Sequence, residues 1–140
     1  HTPLWLNSFW EVAGALQLPV QLPMPILRTL TESQRAQLPA IGASVHSPEE
    51  AVLAEKLGAS WLIAGHIFAT ACKPDLPPRG LDFLRNVYSS VSIPVYAIGG
   101  ITPERLPAIT QAGAAGYCVM SQMMQCPDVP AEFQNWRKRI

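Results

Sequence analysis

A chain of 140 residues, 49% of them apolar, carries 10 basic and 10 acidic side chains. That length can enclose a sizeable core as one domain over residues 1–140, and the apolar share excludes a disordered or collagen-like polymer. Balanced charge without a basic stripe argues against a nucleic acid partner, and no apolar run approaches the ~18–20 residues that cross a bilayer, so no membrane partner is expected either. A cytoplasmic protein is the expected setting. Cys72, Cys118 and Cys126 are odd in number and lack metal-ligand spacing, so neither a disulfide framework nor a structural metal is expected.

The chain opens at His1 rather than at a methionine and is expected to lack its natural start. Residues 4–7 read as a short strand, and 9–18 space Phe9, Val12, Ala13 and Leu16 along one face of a helix. Residues 20–22 are strand-like; Pro23 and Pro25 then break the chain ahead of a helix over 31–37, with Thr31 as its N-cap and Pro39 beyond its end. A strand over 40–45 leads into His46 and the run SPEEAVLAEKLGA. In that run Ser47 caps a helix, Pro48 takes its first position, Glu49 and Glu50 meet the positive end of its dipole, and Gly58 stops it.

The strand over 59–66 ends on Gly65 and His66, as a buried strand does when it delivers a reactive group into a site. The loop beyond it carries Thr70, Cys72, Lys73 and Arg79, side chains suited to a small anion. Residues 80–91 predict a helix with Leu81, Leu84, Val87 and Tyr88 spaced for burial. A strand over 95–98 ends in Gly99 and Gly100, and Thr102 is placed to cap a helix that Pro103 begins and Gly113 closes. The last strand, 116–120, hands over to a helical turn opened by Ser121, and 132–139 predicts a terminal helix.

A βα unit repeated six times, with fully apolar strands, implies a parallel sheet covered by helices. An open doubly wound sheet and a (β/α)8 barrel both fit. No GxGxxG opens a helix, which weakens the dinucleotide-binding form of the first. Barrels bind phosphate with the loops after their last two strands, and IGGIT followed by VMSQMM suits that arrangement. Gly99 and Gly100 let backbone N–H groups approach an anion, Ser121 offers both a hydroxyl and a helix N-terminus, and Met120, Met123 and Met124 read by themselves as packing. Taken by spacing alone, His66 reads as a core histidine with its hydrogen bonds met, and His46, although it too ends a strand at the active end, as a capping neighbour bonded to Ser47 or to backbone.

Together, ASVHSPEEA, GHIF followed by TACK, RG, IPVYAIGGITPERL, QAGAAG and VMSQMM resemble the thiamin phosphate synthase superfamily of phosphate-binding barrels, from Leu4 to about Gln125. GH before IF and ACK after it are more similar to the TenI-like thiazole tautomerases than to the synthases, which show GP and a TPTK-like run. The resemblance implies a (β/α)8 TIM barrel of which this chain holds strands three to eight and lacks the first two. It implies an isomerase of thiamin biosynthesis that aromatises a carboxythiazole phosphate by a general acid–base proton shift, with His66 as acid and base. Gly99, Gly100, Met120 and Ser121 would hold the phosphate; Asn7, Ser44, Thr70, Cys72 and Lys73 would contact the rest of the substrate, Lys73 pairing its carboxylate.

On that reading the partner is a small thiazole phosphate, the protein is a homo-oligomer, and no cofactor or metal is needed. Two alternatives stay beside it. One is a thiamin phosphate synthase, which joins a thiazole phosphate to a pyrimidine pyrophosphate with magnesium; the other is a non-catalytic, phosphate-binding regulatory homologue. Against the synthase, the family's ND pair reads Asn7–Ser8, Met24 and Pro25 stand where another acidic ligand is usual, and Cys72 replaces a substrate-bonding threonine.

Overall fold

The computed structural model, which describes residues 3–138, joins six strands into one parallel sheet. They are β1 (Leu6–Asn7), β2 (Val20–Pro23), β3 (Ile41–Val45), β4 (Trp61–Gly65), β5 (Val95–Ile98) and β6 (Gly116–Cys118). Between and after them run α1 (Trp10–Leu16), α2 (Met24–Thr29), α3 (Glu32–Ala36), α4 (Pro48–Lys56), α5 (Gly80–Ser90) and α6 (Leu106–Gln111). The chain ends through α7 (Ser121–Gln125) and α8 (Val129–Arg137), and a 3-10 turn, Pro103–Arg105, leads into α6. Strand neighbours are consecutive in sequence from β1 to β6. The sheet therefore has no reversal of order of the kind that makes a doubly wound crevice; it curls as a six-stranded half-barrel, with β1 and β6 as its edges. A closed eight-stranded barrel is not formed by the described residues.

Side chains alternate across a strand, so register sorts them onto two faces. Leu22 pairs with Ala43, Ala43 with Leu62, and Ala64 with Ala97, all on the helix-facing side and all fully buried. Ala13 of α1, Leu27 of α2, Ala51 and Ala54 of α4, Leu84 and Val87 of α5 and Ile109 of α6 close over that face. Trp136 of α8 is buried too, its indole stacked on Tyr117 with ring centroids 5.3 Å apart.

Several local expectations hold in detail. The Ser47 hydroxyl accepts the Glu50 N–H at 3.2 Å, and Thr31 forms a reciprocal capping box with Gln34. Others need correction. Pro23 and Pro25 do not interrupt the chain: Pro23 closes β2, and Pro25 sits in the first turn of α2, where an absent N–H leaves no bond unmade. On α1 only Ala13 is buried, while Phe9, Val12 and Leu16 are exposed, because the helix packs beside an edge strand and has a neighbour on one side only. Tyr88 is half exposed, and its ring lies over Gly113, where a Cβ would come within 2.5 Å of Cδ1.

Thr102 makes no side-chain cap; its carbonyl instead accepts the Arg105 N–H of the 3-10 turn at 3.0 Å. The last strand stops at Cys118, two residues early, since β6 pairs only with β5. The terminal helix starts earlier than expected, at Val129, where the Asp128 carboxylate accepts the Ala131 N–H at 3.0 Å. His1 and Arg139 lie outside the described residues.

Candidate functional site

At the C-terminal ends of the strands the other face of the sheet opens into a cavity of about 560 Å³. Asn7, Ser44, His66, Thr70, Cys72, Lys73, Gly99, Gly100, Met120 and Ser121, residues scattered along the sequence, all line it. Arg79 does not. Its Nε donates to the Gly65 carbonyl at 3.1 Å, its backbone N–H to the His66 carbonyl at 3.0 Å, and its guanidinium lies over Phe83, so it staples the loop rather than facing an anion.

His66 is 5% exposed, and its Nε2 stands 3.2 Å from the Leu76 carbonyl. A carbonyl only accepts, so Nε2 carries the proton and the Nδ1 lone pair is left over. That bond ties residue 76, beyond Thr70, Cys72 and Lys73, back to the end of β4. His46, read from sequence as a possible capping neighbour, also lines the cavity. Its Nδ1–H donates to the Gly65 carbonyl at 2.9 Å, so its proton sits on the opposite ring nitrogen from that of His66. Ser47 does not hold it, being engaged by Glu50.

Sequence reading missed the floor of the cavity. Gln21 is 8% exposed; its Oε1 accepts the Trp61 indole N–H at 2.8 Å, and its amide nitrogen donates to the Ser44 hydroxyl at 2.9 Å. Gly42 stands between them in register, and a Cβ there would fall 2.1 Å from the Trp61 Nε1 and 2.2 Å from the Gln21 Oε1. The signal was present in the sequence as a glutamine between Val20 and Leu22, with a glycine inside the next strand.

Gly99 and Gly100 have φ of 96° and 63°, a left-handed pair that other residues rarely adopt. A Cβ on Gly99 would lie 2.3 Å from the Cβ of His66, and one on Gly100 2.4 Å from the Ala69 carbonyl oxygen. The carbonyls of this turn are all drawn backward: Ile98 accepts from Ile67 N–H at 2.9 Å, Gly99 from Phe68 N–H at 3.0 Å, and Gly100 from the Arg105 guanidinium. The N–H groups of Gly100 and Ile101 have no intramolecular acceptor among the described residues, and both residues line the cavity. Consecutive free N–H groups in a left-handed turn make an anion-binding concavity. Helix α7 has only five residues, so Ser121 brings a hydroxyl rather than a strong helix dipole.

The lining carries Lys73 and two histidines but no aspartate or glutamate. Burial pushes the Cys118 thiol up, which keeps it protonated and poorly nucleophilic. Among the described residues no three His, Cys, Asp or Glu side chains gather as a metal site.

The sequence profile of the thiamine monophosphate synthase family matches residues 3–123. The chain belongs to that family. The thiamine-phosphate synthase of Syntrophomonas wolfei is 38% identical over 143 residues, an alignment that takes in 97% of this chain and 66% of the relative. That of Caldivirga maquilingensis is 51% identical over 88 residues, 63% of this chain and 43% of the relative. A solved structure, thiamine phosphate pyrophosphorylase from Pyrococcus furiosus, superposes with a TM-score of 0.82 at 36% identity, covering 99% of this chain and 67% of the other. The chain thus spans about two thirds or less of the length of the curated relatives it matches. The expectation of an isomerase is overturned: the similar proteins carry the names of synthases, which are transferases, and none points to the tautomerase branch.

Proposed function

We propose that this cavity is the acceptor part of a thiamine-phosphate-synthase site, where a thiazole phosphate is held for coupling to a pyrimidine diphosphate. The observation that carries the reading is the pair of N–H groups at Gly100 and Ile101, without a partner among the described residues and set in a left-handed turn on the cavity wall of a chain of this family. They are donors for the phosphate, with the Ser121 hydroxyl beside them. Ser44, held by Gln21, and Asn7 face the ring.

In the coupling, the thiazole displaces pyrophosphate from the pyrimidine. The lone pair of the thiazole nitrogen forms the new C–N bond, the C–O bond to the diphosphate breaks, and that bond's electron pair goes to the leaving group. Lys73 lines the same space and offers positive charge to that departing anion. His66 acts here by tying residue 76 back, which holds Thr70, Cys72 and Lys73 over the cavity.

Magnesium is the ion that the synthase reading brings with it. The residues present do not fit it: a hard cation takes carboxylate oxygens, and the cavity lining offers only neutral amide and hydroxyl oxygens, with Ser8 and Met24 at the two positions where acids were sought. This same observation favours a second reading, a homologue that binds the phosphate without turning it over.

The test is pyrophosphate release from the protein incubated with a thiazole phosphate and a pyrimidine diphosphate, with and without magnesium, beside calorimetric binding of the thiazole phosphate. Coupling that requires both substrates supports the synthase. Tight binding with no release at either condition selects the non-catalytic homologue, and absence of binding overturns both.

A further inference from the structure

Behind the glycine turn lies an arginine, Arg105, that does not line the cavity. The Arg105 Nη1–H donates to the Gly100 carbonyl, and its guanidinium carbon stands 4.4 Å from the centroid of the Phe68 ring. Phe68 in turn gives its backbone N–H to the Gly99 carbonyl at 3.0 Å. Arg105 itself is fixed by the 3-10 turn, its N–H bonded to Thr102. The arrangement spans three segments: the loop after β4, the turn after β5, and the entry to α6.

We propose that Arg105 is a positioning residue for the anion cradle, setting which way the Gly100–Ile101 peptide faces. The inference rests on the phosphate reading given above. In a trans peptide the carbonyl and the following N–H point in opposite directions, so a Gly100 carbonyl held back toward Arg105 turns the Ile101 N–H forward. Ile101 lines the cavity, and that N–H has no acceptor among the described residues. The restraint matters because the turn is made of two glycines. Glycine visits both signs of φ at little cost, so nothing intrinsic prevents this peptide from flipping. A flipped peptide would present a carbonyl oxygen to the anion in place of a donor.

The charge of the guanidinium strengthens the bond to the carbonyl, and the Phe68 face holds the group in place. Arg105 thereby selects the donor-forward state before any anion arrives. The Phe68 N–H does the same for the Gly99 carbonyl, which turns the Gly100 N–H forward. The first of these two locks is a side chain and can be removed without touching the backbone.

The experiment compares the wild-type chain with Arg105→Met, which keeps bulk over Phe68 but loses donor and charge, and with Arg105→Lys, which keeps both a donor and the charge. Inorganic phosphate is the probe, followed by calorimetry and by the amide 1H–15N shifts of Gly100 and Ile101; circular dichroism and thermal midpoint confirm that each variant folds. In wild type, phosphate is expected to shift both amides. Arg105→Met is expected to lose about ten- to a hundredfold in phosphate affinity, the scale of one charged hydrogen bond. Its Ile101 amide should also move or broaden in the phosphate-free protein, a signature that mere loss of a distant charge would not give. Arg105→Lys should recover most of the affinity.

Equal affinity in all three proteins, or equal loss in both variants with the phosphate-free Ile101 amide unmoved, would overturn the role of Arg105 while leaving the cradle standing. Wild-type amides at Gly100 and Ile101 that ignore phosphate would instead overturn the phosphate reading itself, and this inference with it.

Discussion

On the helix-facing side of the sheet, Leu22, Ala43, Leu62, Ala64 and Ala97 are fully buried, and their side chains contribute apolar contact alone. On the cavity-facing side, the same strands offer Gln21, Gly42, Ser44, Trp61 and Gly65, where polar atoms are paired by geometry and glycines leave room. The register of one residue separates the two sets. One side is held by the area it removes from water, the other by hydrogen bonds whose partners come from different strands. A substitution on the first side should therefore be read in stability, and one on the second chiefly in the site.

The sharpest way to break that contrast is Leu62→Ala. It opens a cavity in the helix-facing layer and is expected to cost about 2–5 kcal/mol in denaturant unfolding, with phosphate affinity of the folded protein unchanged. A loss of affinity on that scale at native conditions would show that the two faces are not separable. Gln21→Leu comes next. It leaves the Trp61 N–H buried without its acceptor and frees the Ser44 hydroxyl, so about 1–3 kcal/mol of stability should go, together with weaker binding of the thiazole phosphate. Should it leave binding untouched, the cavity floor has no part in recognition.

Ser44→Ala sharpens the comparison further. The hydroxyl is half-buried with one strand neighbour as partner, and its removal should cost about 1 kcal/mol or less in stability while lowering turnover roughly tenfold. The smallest effect is expected away from both faces. The Ser92 hydroxyl and N–H hold the Glu55 carboxyl below its ordinary value of 4.5. A lowered folded-state value stabilises fully above the unfolded one and fades as pH falls through the folded one. Glu55→Gln should accordingly be slightly less stable than wild type at neutral pH, and thermal midpoints of the two should converge in acid. A gap that widens in acid would contradict the assignment.

The helix-facing layer was legible in the sequence because it repeats: each apolar strand run and each capped helix announces itself within a few residues, as SPEEAVLAEKLGA does through Ser47, Pro48 and Gly58. The cavity walls were legible where glycines, a histidine or hydroxyls end a strand. What stayed hidden depends on partners far along the chain. Gln21 meets Trp61 forty residues away across Gly42, and the role of His46 is set by the Gly65 carbonyl of the next strand. The exposure of Phe9 and Leu16 follows from β1 being an edge, which periodicity cannot express. The expectation of an isomerase rested on a few residues around His66, and similarity along the whole chain outweighs them.

The account stands most directly on where a phosphate settles. A crystal structure of the protein with a thiazole phosphate should place the phosphate oxygens within hydrogen-bond distance of the Gly100 and Ile101 N–H groups and of the Ser121 hydroxyl, with the ring toward Ser44. A phosphate bound elsewhere in the cavity, with those two N–H groups still unpartnered, would contradict it.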